Sequence, residues 1–382
     1  MTWDVGGAAG PVAAGLLPAP TPIRFVDQDG RPADEHGGYR RPPDELLGRA
    51  YEAMVLARRF DAQATALARQ GRIAAFPSFA GQEACQAGAA LALRPADWLF
   101  PTYRDSGALL SRGVDPLAVL VPFRGLRHCG YDPRASRCAP MTTPLATQAA
   151  HAAGLATAAR WAGTDEVALV LLGDGATSEG DFHEALNFAA VFRAPVVFLV
   201  QNNRYAISVP LSRQSAAPSL AYKGVGYGIR SEQVDGNDAV AVLAVLADAV
   251  AGARAGHGPT LVEAHTYRLG PHTSADDPSR YRDDAEVAIW RARDPVARLR
   301  TYLGGRGLLD DEADGAVTAR AEALAARVRA GVADEPLVDP AEIFAHVYAA
   351  PPPSHAEQLA ALTAELDAER GAGSGAGGEA ER

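Results

Sequence analysis

The chain has 382 residues, enough to bury a large core as one domain or two, and carries a formal net charge of −10. That balance argues against sequence-independent binding of nucleic acid, which needs a basic surface to displace counterions, but it leaves room for a basic pocket that takes a phosphate-bearing ligand. Three cysteines with no CxxC pair argue against a disulfide framework and a structural zinc site.

The N-terminus MTWDVGGAAG lacks the basic start and apolar block of a secretion signal. No apolar run approaches the ~20 residues that span a bilayer, so a cytoplasmic protein with no membrane partner is expected. Lys223 is the only lysine.

In chain order, residues 1–43 are rich in Gly, Pro and Ala and hold the alternating stretch IRFVDQDG, which reads as an extended arm that needs a surface to lie on. Helical spacing of apolar residues follows over 44–71, with Asp44 as the expected N-cap, and again over 81–93. A loop-rich region runs from FPTYRDSG to CAPMTTPLATQ, and a small-residue helix over 148–163. VALVLLGDG is then a strand, DFHEALNFAAVF a helix and PVVFLVQNN a strand. IRSEQVDG, DAVAVLAVLADAVAGARAG and PTLVEAHTYR repeat the pattern. From Pro295 the chain reads as helical, including DPAEIFAHVYAA and a segment over 355–370, before the tail GAGSGAGGEAER, which has nothing to bury and should be disordered.

Alternation of this kind predicts an α/β fold, a parallel sheet with helices on both faces. The expected division is an arm over 1–43, one α/β domain over 44–350, and a C-terminal helix and tail over 351–382. Ligands of such sheets bind at the carboxyl ends of the strands.

The polar residues of GDG (173–175) and NN (202–203) stand at two such ends. If their strands are neighbours, ~5 Å apart, Asp174 and Asn203 emerge side by side. The helix between them, with Phe182, Ala185, Leu186 and Ala189 on one face, would start near Thr177 and Ser178 and aim its free N–H groups at the same rim. One carboxylate, one amide oxygen and a helix start suit a magnesium ion carrying a diphosphate, because magnesium takes few protein ligands and fills its octahedron with water and phosphate oxygens. Glycines beside Asp174 let the backbone approach the phosphates. Gly173, Gly175 and Gly180 do not form GxGxxG, and no GxxxxGK[ST], GxSxG or HExxH occurs.

The longer string GDGATSEGDFHEALNFAAVF…QNNRYAIS, with RFDAQATALARQG, AGQEACQ, FPTYRDSG, TTPLATQ, RQSAAPS, QVDGNDAVAV and YRLGPHTSADDPSRYR, resembles the alpha subunit of the decarboxylase component of 2-oxo acid dehydrogenase complexes. The resemblance implies the thiamin diphosphate-binding fold. It implies magnesium held by the side chains of Asp174 and Asn203 and the carbonyl of Tyr205. Tyr103, Arg104, Gly175, Ala176 and His272 would hold the diphosphate, and Pro144 would border the cofactor. Gln201 stands where mammalian branched-chain members have a phosphate-binding arginine, a role Arg204 is expected to take over. His272 would be the catalytic histidine of acyl transfer, on a loop braced by Arg268, Tyr281 and Arg282, and His128 is a further candidate to face the site. Thr142, Thr147 and Gln148 would form a potassium site. Thr273 and Asp283 occupy the two serine positions phosphorylated in mammalian members, so kinase control is not implied.

The implied partners are a beta subunit, which completes the cofactor pocket in an assembly of two alpha and two beta chains, and a lipoyl-bearing acyltransferase component. The implied substrate is a branched-chain 2-oxo acid, with pyruvate the alternative. Acetoin cleavage, and a non-catalytic alpha chain that only scaffolds its beta subunit, come after these; Asp174, Asn203 and His272, which a scaffold would be expected to have lost, are all present.

Overall fold

The computed structural model describes residues 15–333 and 339–375. Its strands are β1 (Arg24–Val26), β2 (Pro32–Glu35), β3 (Trp98–Phe100), β4 (Ala168–Gly173), β5 (Val196–Asn202), β6 (Tyr205–Ala206), β7 (Val209–Pro210), β8 (Arg230–Asp235) and β9 (Thr260–His265). Five of them form a parallel sheet in the order β3-β4-β5-β9-β8. The helices Thr147–Ala162, Gly180–Val191 and Ala239–Arg254 are the crossovers. All five strands therefore end on one rim.

Side chains alternate across the sheet. Leu169, Leu171, Val197, Leu199 and Val262 enter a core with the helices Asp44–Arg69, Glu83–Leu91, Ala239–Arg254 and Pro295–Gly305. Val170, Leu172, Phe198, Val200 and Leu261 enter a second core under the helices Thr147–Ala162 and Gly180–Val191. The latter helix buries Phe182, Ala185, Leu186 and Ala189, the face read from its sequence. It begins at Gly180, however, and a 3₁₀ turn over Gly175–Ser178 fills the gap from β4.

The first long helix also starts differently from its reading. Pro43, with ψ 149, stands outside as the N-cap and makes no side-chain cap bond, so Asp44 is the first helical residue and is bound by Arg41. There its charge favours the positive helix end. Upstream, Ile23 bridges Val234 of β8. Phe25 and Val26 both donate at 2.7 Å to Asp238, whose other carboxylate oxygen caps the helix Ala239–Arg254.

The chain divides into two compact units between Val332 and Ala333. In the second, the stretch read as one helix over DPAEIFAHVYAA is helical only over Ala341–Phe344, and a turn takes over from Ala345. The helix Pro353–Gly375 follows, with His355 packed against Phe344 and Tyr348. That helix takes in residues 371–375 of the tail expected to be disordered, and residues 376–382 lie outside the described residues. Among the described residues, no helix is long and apolar enough to cross a membrane.

Candidate active site

β4 and β5 are neighbours with Gly173 opposite Gln201, so the residues that follow them leave the sheet together. Asp174 and Asn203 are both buried. The Asn203 amide nitrogen donates to Gln82 Oε1 at 2.7 Å, which turns Asn203 Oδ1 toward Asp174 Oδ1 at 3.2 Å and the Tyr205 carbonyl oxygen at 3.1 Å. Rotating the amide would convert both contacts to hydrogen bonds but would set its oxygen against Gln82 at 2.7 Å, so Gln82 would have to turn as well. In the arrangement present, three oxygens converge. An octahedral magnesium with ~2.1 Å bonds holds neighbouring oxygens ~3 Å apart, and both contacts of Asn203 Oδ1 meet that spacing. Burial pushes the Asp174 carboxyl up from its usual range, opposed by the hydrogen bond from Gln214 at 2.7 Å. A carboxylate so placed gains from a cation. The donor set fits a hard divalent ion with a single protein charge.

Positive charge faces this cluster. Arg104 donates to the Ser78 carbonyl at 2.8 Å and meets His272 Nδ1 at 3.0 Å. Arg268 donates to the Ile207 carbonyl at 2.8 Å and the Tyr281 hydroxyl at 3.0 Å, and meets the same Nδ1 at 3.3 Å. All these partners are neutral, and among the described residues neither guanidinium makes an ion pair with a carboxylate, which suits them to a polyanion. Because Nδ1 accepts from both, the ring proton belongs on Nε2. Burial, then the charges of Arg104 and Arg268, push His272 down to about 4. Burial and Arg104 push Arg268 down to about 10. Asp276 accepts from the His272 backbone N–H at 2.8 Å and from the Tyr281 hydroxyl, while Arg282 donates to the carbonyls of Arg268, Leu269 and Gly270. The loop bearing His272 is thereby fixed by the residues expected to brace it.

Both features open into one cavity of about 520 Å³. Tyr103, Arg104, Thr142, Pro144, Gln148, Asp174, Gly175, Ala176, Gln201, Asn203, Tyr205 and His272 all line it; Thr147, at the start of its helix, does not. Thr142 Oγ1 donates to Gln148 Oε1 at 3.0 Å. A Cβ on Gly175 would come within 2.7 Å of Ala206 Cβ, so the turn beneath the cavity requires glycine. His128 is exposed and outside the lining.

Arg204 does not take the phosphate-binding place expected of it. Its φ of 77° turns the side chain away from the cavity, onto the ring of Trp290 at 5.6 Å. Gln201 is tied to Asp105 at 2.7 Å.

Residues not assigned from the sequence complete the site. Gln82 and Gln214 orient Asn203 and Asp174. Lys223 holds the turn after Asp174 by donating to the Thr177 carbonyl at 2.6 Å and hydroxyl at 2.9 Å. Gln82 and Gln214 lie within the quoted stretches AGQEACQ and RQSAAPS, and the signal for Lys223 was its solitude.

A buried oxygen cluster with one carboxylate, facing two arginines on the carboxyl rim of a parallel sheet, has the chemistry of a site for a divalent cation and a polyanion on an α/β fold. The family model for the dehydrogenase E1 component matches residues 51–338. The chain is similar to the 3-methyl-2-oxobutanoate dehydrogenase subunit alpha of Mycobacterium tuberculosis, 51% identical over 345 residues that cover 90% of this chain and 94% of the relative. It is also similar to the pyruvate dehydrogenase E1 component subunit alpha of Acholeplasma laidlawii, 40% identical over 337 residues (87% and 96%). For the protein of that name in Staphylococcus aureus the figures are 41% over 281 residues (73% and 76%). The chain belongs to the dehydrogenase E1 component family.

Proposed function

We propose that this chain is the alpha subunit of a cytoplasmic 2-oxo acid dehydrogenase that decarboxylates a branched-chain 2-oxo acid on thiamin diphosphate and passes the acyl group to lipoamide of an acyltransferase component. The observation that carries the reading is the convergence of the Asp174, Asn203 and Tyr205 oxygens opposite Arg104 and Arg268. The branched-chain choice is supported by the 51% identity to a relative named for 3-methyl-2-oxobutanoate, against 40% and 41% for relatives named for pyruvate.

Thiamin diphosphate, when bound, supplies a carbanion for attack on the keto carbon and accepts the electron pair released with carbon dioxide. The residues of this chain bind and orient it. Asp174, Asn203 and the Tyr205 carbonyl would ligate magnesium. Tyr103, Arg104 and the backbone of Gly175 and Ala176 would take the diphosphate, with Gln201 and Pro144 beside it. Neutral His272 carries a proton on Nε2, available to a group that develops negative charge as the acyl group leaves. In the same reading a potassium ion is held at Thr142, Thr147 and Gln148, supported by the two oxygens that meet at 3.0 Å. A beta subunit completes the pocket in an assembly of two alpha and two beta chains.

The test is decarboxylation by the chain co-expressed with its beta subunit, with thiamin diphosphate, magnesium and an artificial electron acceptor. 3-Methyl-2-oxobutanoate should be turned over faster than pyruvate or acetoin, and Asp174→Ala should abolish turnover. Preference for pyruvate would overturn the substrate, and turnover by the Asp174→Ala variant would overturn the site.

A further inference from the structure

A second cavity, of about 250 Å³, opens at the carboxyl ends of β8 and β9 and shares no lining residue with the first. Four arginines line it, Arg24, Arg204, Arg293 and Arg298, against one carboxylate, Asp235. In a chain of net charge −10 this is a local inversion of sign.

The four arginines are of two kinds. Arg24 and Arg298 are committed to Asp235, at 3.1 and 3.0 Å, with Glu35 on the surface and the buried Asp238 as their further acidic partners. Arg204 and Arg293 make no hydrogen bond or ion pair to an acid among the described residues. Both lie over Trp290, 5.6 and 5.3 Å from its centroid, and that ring is stacked on Tyr267 at 5.3 Å. Cation–π contact holds the two guanidiniums in place without using their N–H donors. Nε of Arg204 and Nε of the almost wholly buried Arg298 have no hydrogen-bond partner among the described residues. The neighbouring His265 adds no charge, since burial pushes its pKa down, and its Nε2 is paired with Gln233 Oε1 at 2.9 Å.

We propose that this cavity binds a phosphate group, as inorganic phosphate or as the monoester of a small metabolite. A carboxylate has two oxygens and satisfies one guanidinium fork, whereas a phosphate has three terminal oxygens and can take two. Sites for drug-sized ligands run from about 300 to 1,000 Å³, so a cavity of about 250 Å³ admits a phosphate carrying few carbons and excludes a nucleotide. Trp290 offers those carbons an apolar wall. The site is built from residues outside the candidate active site and stands whether or not the function proposed above is correct.

Isothermal titration of the full-length chain with inorganic phosphate and with glycerol 3-phosphate tests it, using Arg204→Met, Arg293→Met and, as a reference for the first cavity, Arg104→Met. Binding should persist in Arg104→Met and weaken about tenfold in each of the other two, the loss of one charge-assisted fork. Tighter binding of the ester would identify a metabolite as the ligand, and equal binding would identify phosphate itself. Should the methionine variants not fold, Arg204→Lys and Arg293→Lys keep the charge but lose the fork, and each should lose affinity severalfold. Phosphate binding that survives substitution of Arg204 and of Arg293 in the Arg104→Met background, binding abolished by Arg104→Met alone, or no binding at tens of millimolar would overturn the proposal.

Discussion

The His272 imidazole should stay neutral well into acid and become easier to protonate once either arginine against it is removed. Its Nδ1 lies 3.0 Å from an Arg104 donor and 3.3 Å from an Arg268 donor. Burial and these two charges bring the group from 6.5 to about 4. Two unit charges ~4 Å apart interact by about 4 kcal/mol at an effective dielectric of ~20. Solvent reaches this half-buried ring and screens that figure, so loss of one guanidinium should raise the pKa by about one unit, ~1.4 kcal/mol. Arg104→Met should act more strongly than Arg268→Met, since Arg104 is the nearer charge. Inorganic pyrophosphate, by neutralising both arginines, should shift the wild-type group in the same direction. The assay is NMR titration of isotope-labelled histidines, with His272→Gln to assign the resonance. Because the folded value lies below the unfolded one, His272 contributes stability above pH 6.5 that is lost as pH falls towards about 4. A wild-type His272 that titrates near its ordinary value, or one indifferent to both substitutions, would refute the reasoning.

Three further outcomes are expected. Gly175→Ala places a Cβ 2.7 Å from Ala206 Cβ and should cost ~1–3 kcal/mol of stability in urea unfolding with an unchanged m-value; a loss below ~0.5 kcal/mol would mean the turn yields freely. Asp238→Ala removes a helix cap and the acceptor for two backbone N–H groups. It should cost ~2–4 kcal/mol and speed protease cleavage within residues 15–43. Lys223→Met frees the Thr177 carbonyl and hydroxyl and should cost only ~1 kcal/mol, yet weaken magnesium-dependent thiamin diphosphate binding severalfold, with Arg restoring part of it.

The sheet and much of the site were legible because their signals are local. Strands such as VALVLL and PVVFLV are continuous apolar runs, and the polar residues after them fall on the rim by topology alone. The edge strand β3 was missed: three residues set off by Pro95 and Pro101 are too short to show a period, and only pairing of Trp98–Phe100 with Ala168–Val170 defines them. Gln82 and Gln214 act on partners 121 and 40 residues away, a relation that no spacing rule encodes. Arg204 reads toward the diphosphate as a substitute for the arginine that Gln201 replaces three residues earlier; its left-handed backbone, uncommon for a non-glycine residue, accompanies its placement at the other cavity.

The central claim is that three oxygens, from the side chains of Asp174 and Asn203 and the carbonyl of Tyr205, hold the divalent ion of a diphosphate cofactor. Anomalous diffraction from crystals of the chain with its beta subunit, grown with manganese and thiamin diphosphate, tests it most directly. The account predicts a manganese peak ~2.1–2.2 Å from all three oxygens, with the Asn203 amide nitrogen still on Gln82. A peak elsewhere, or an Asn203 amide turned to donate to Asp174 with no metal between them, would contradict it.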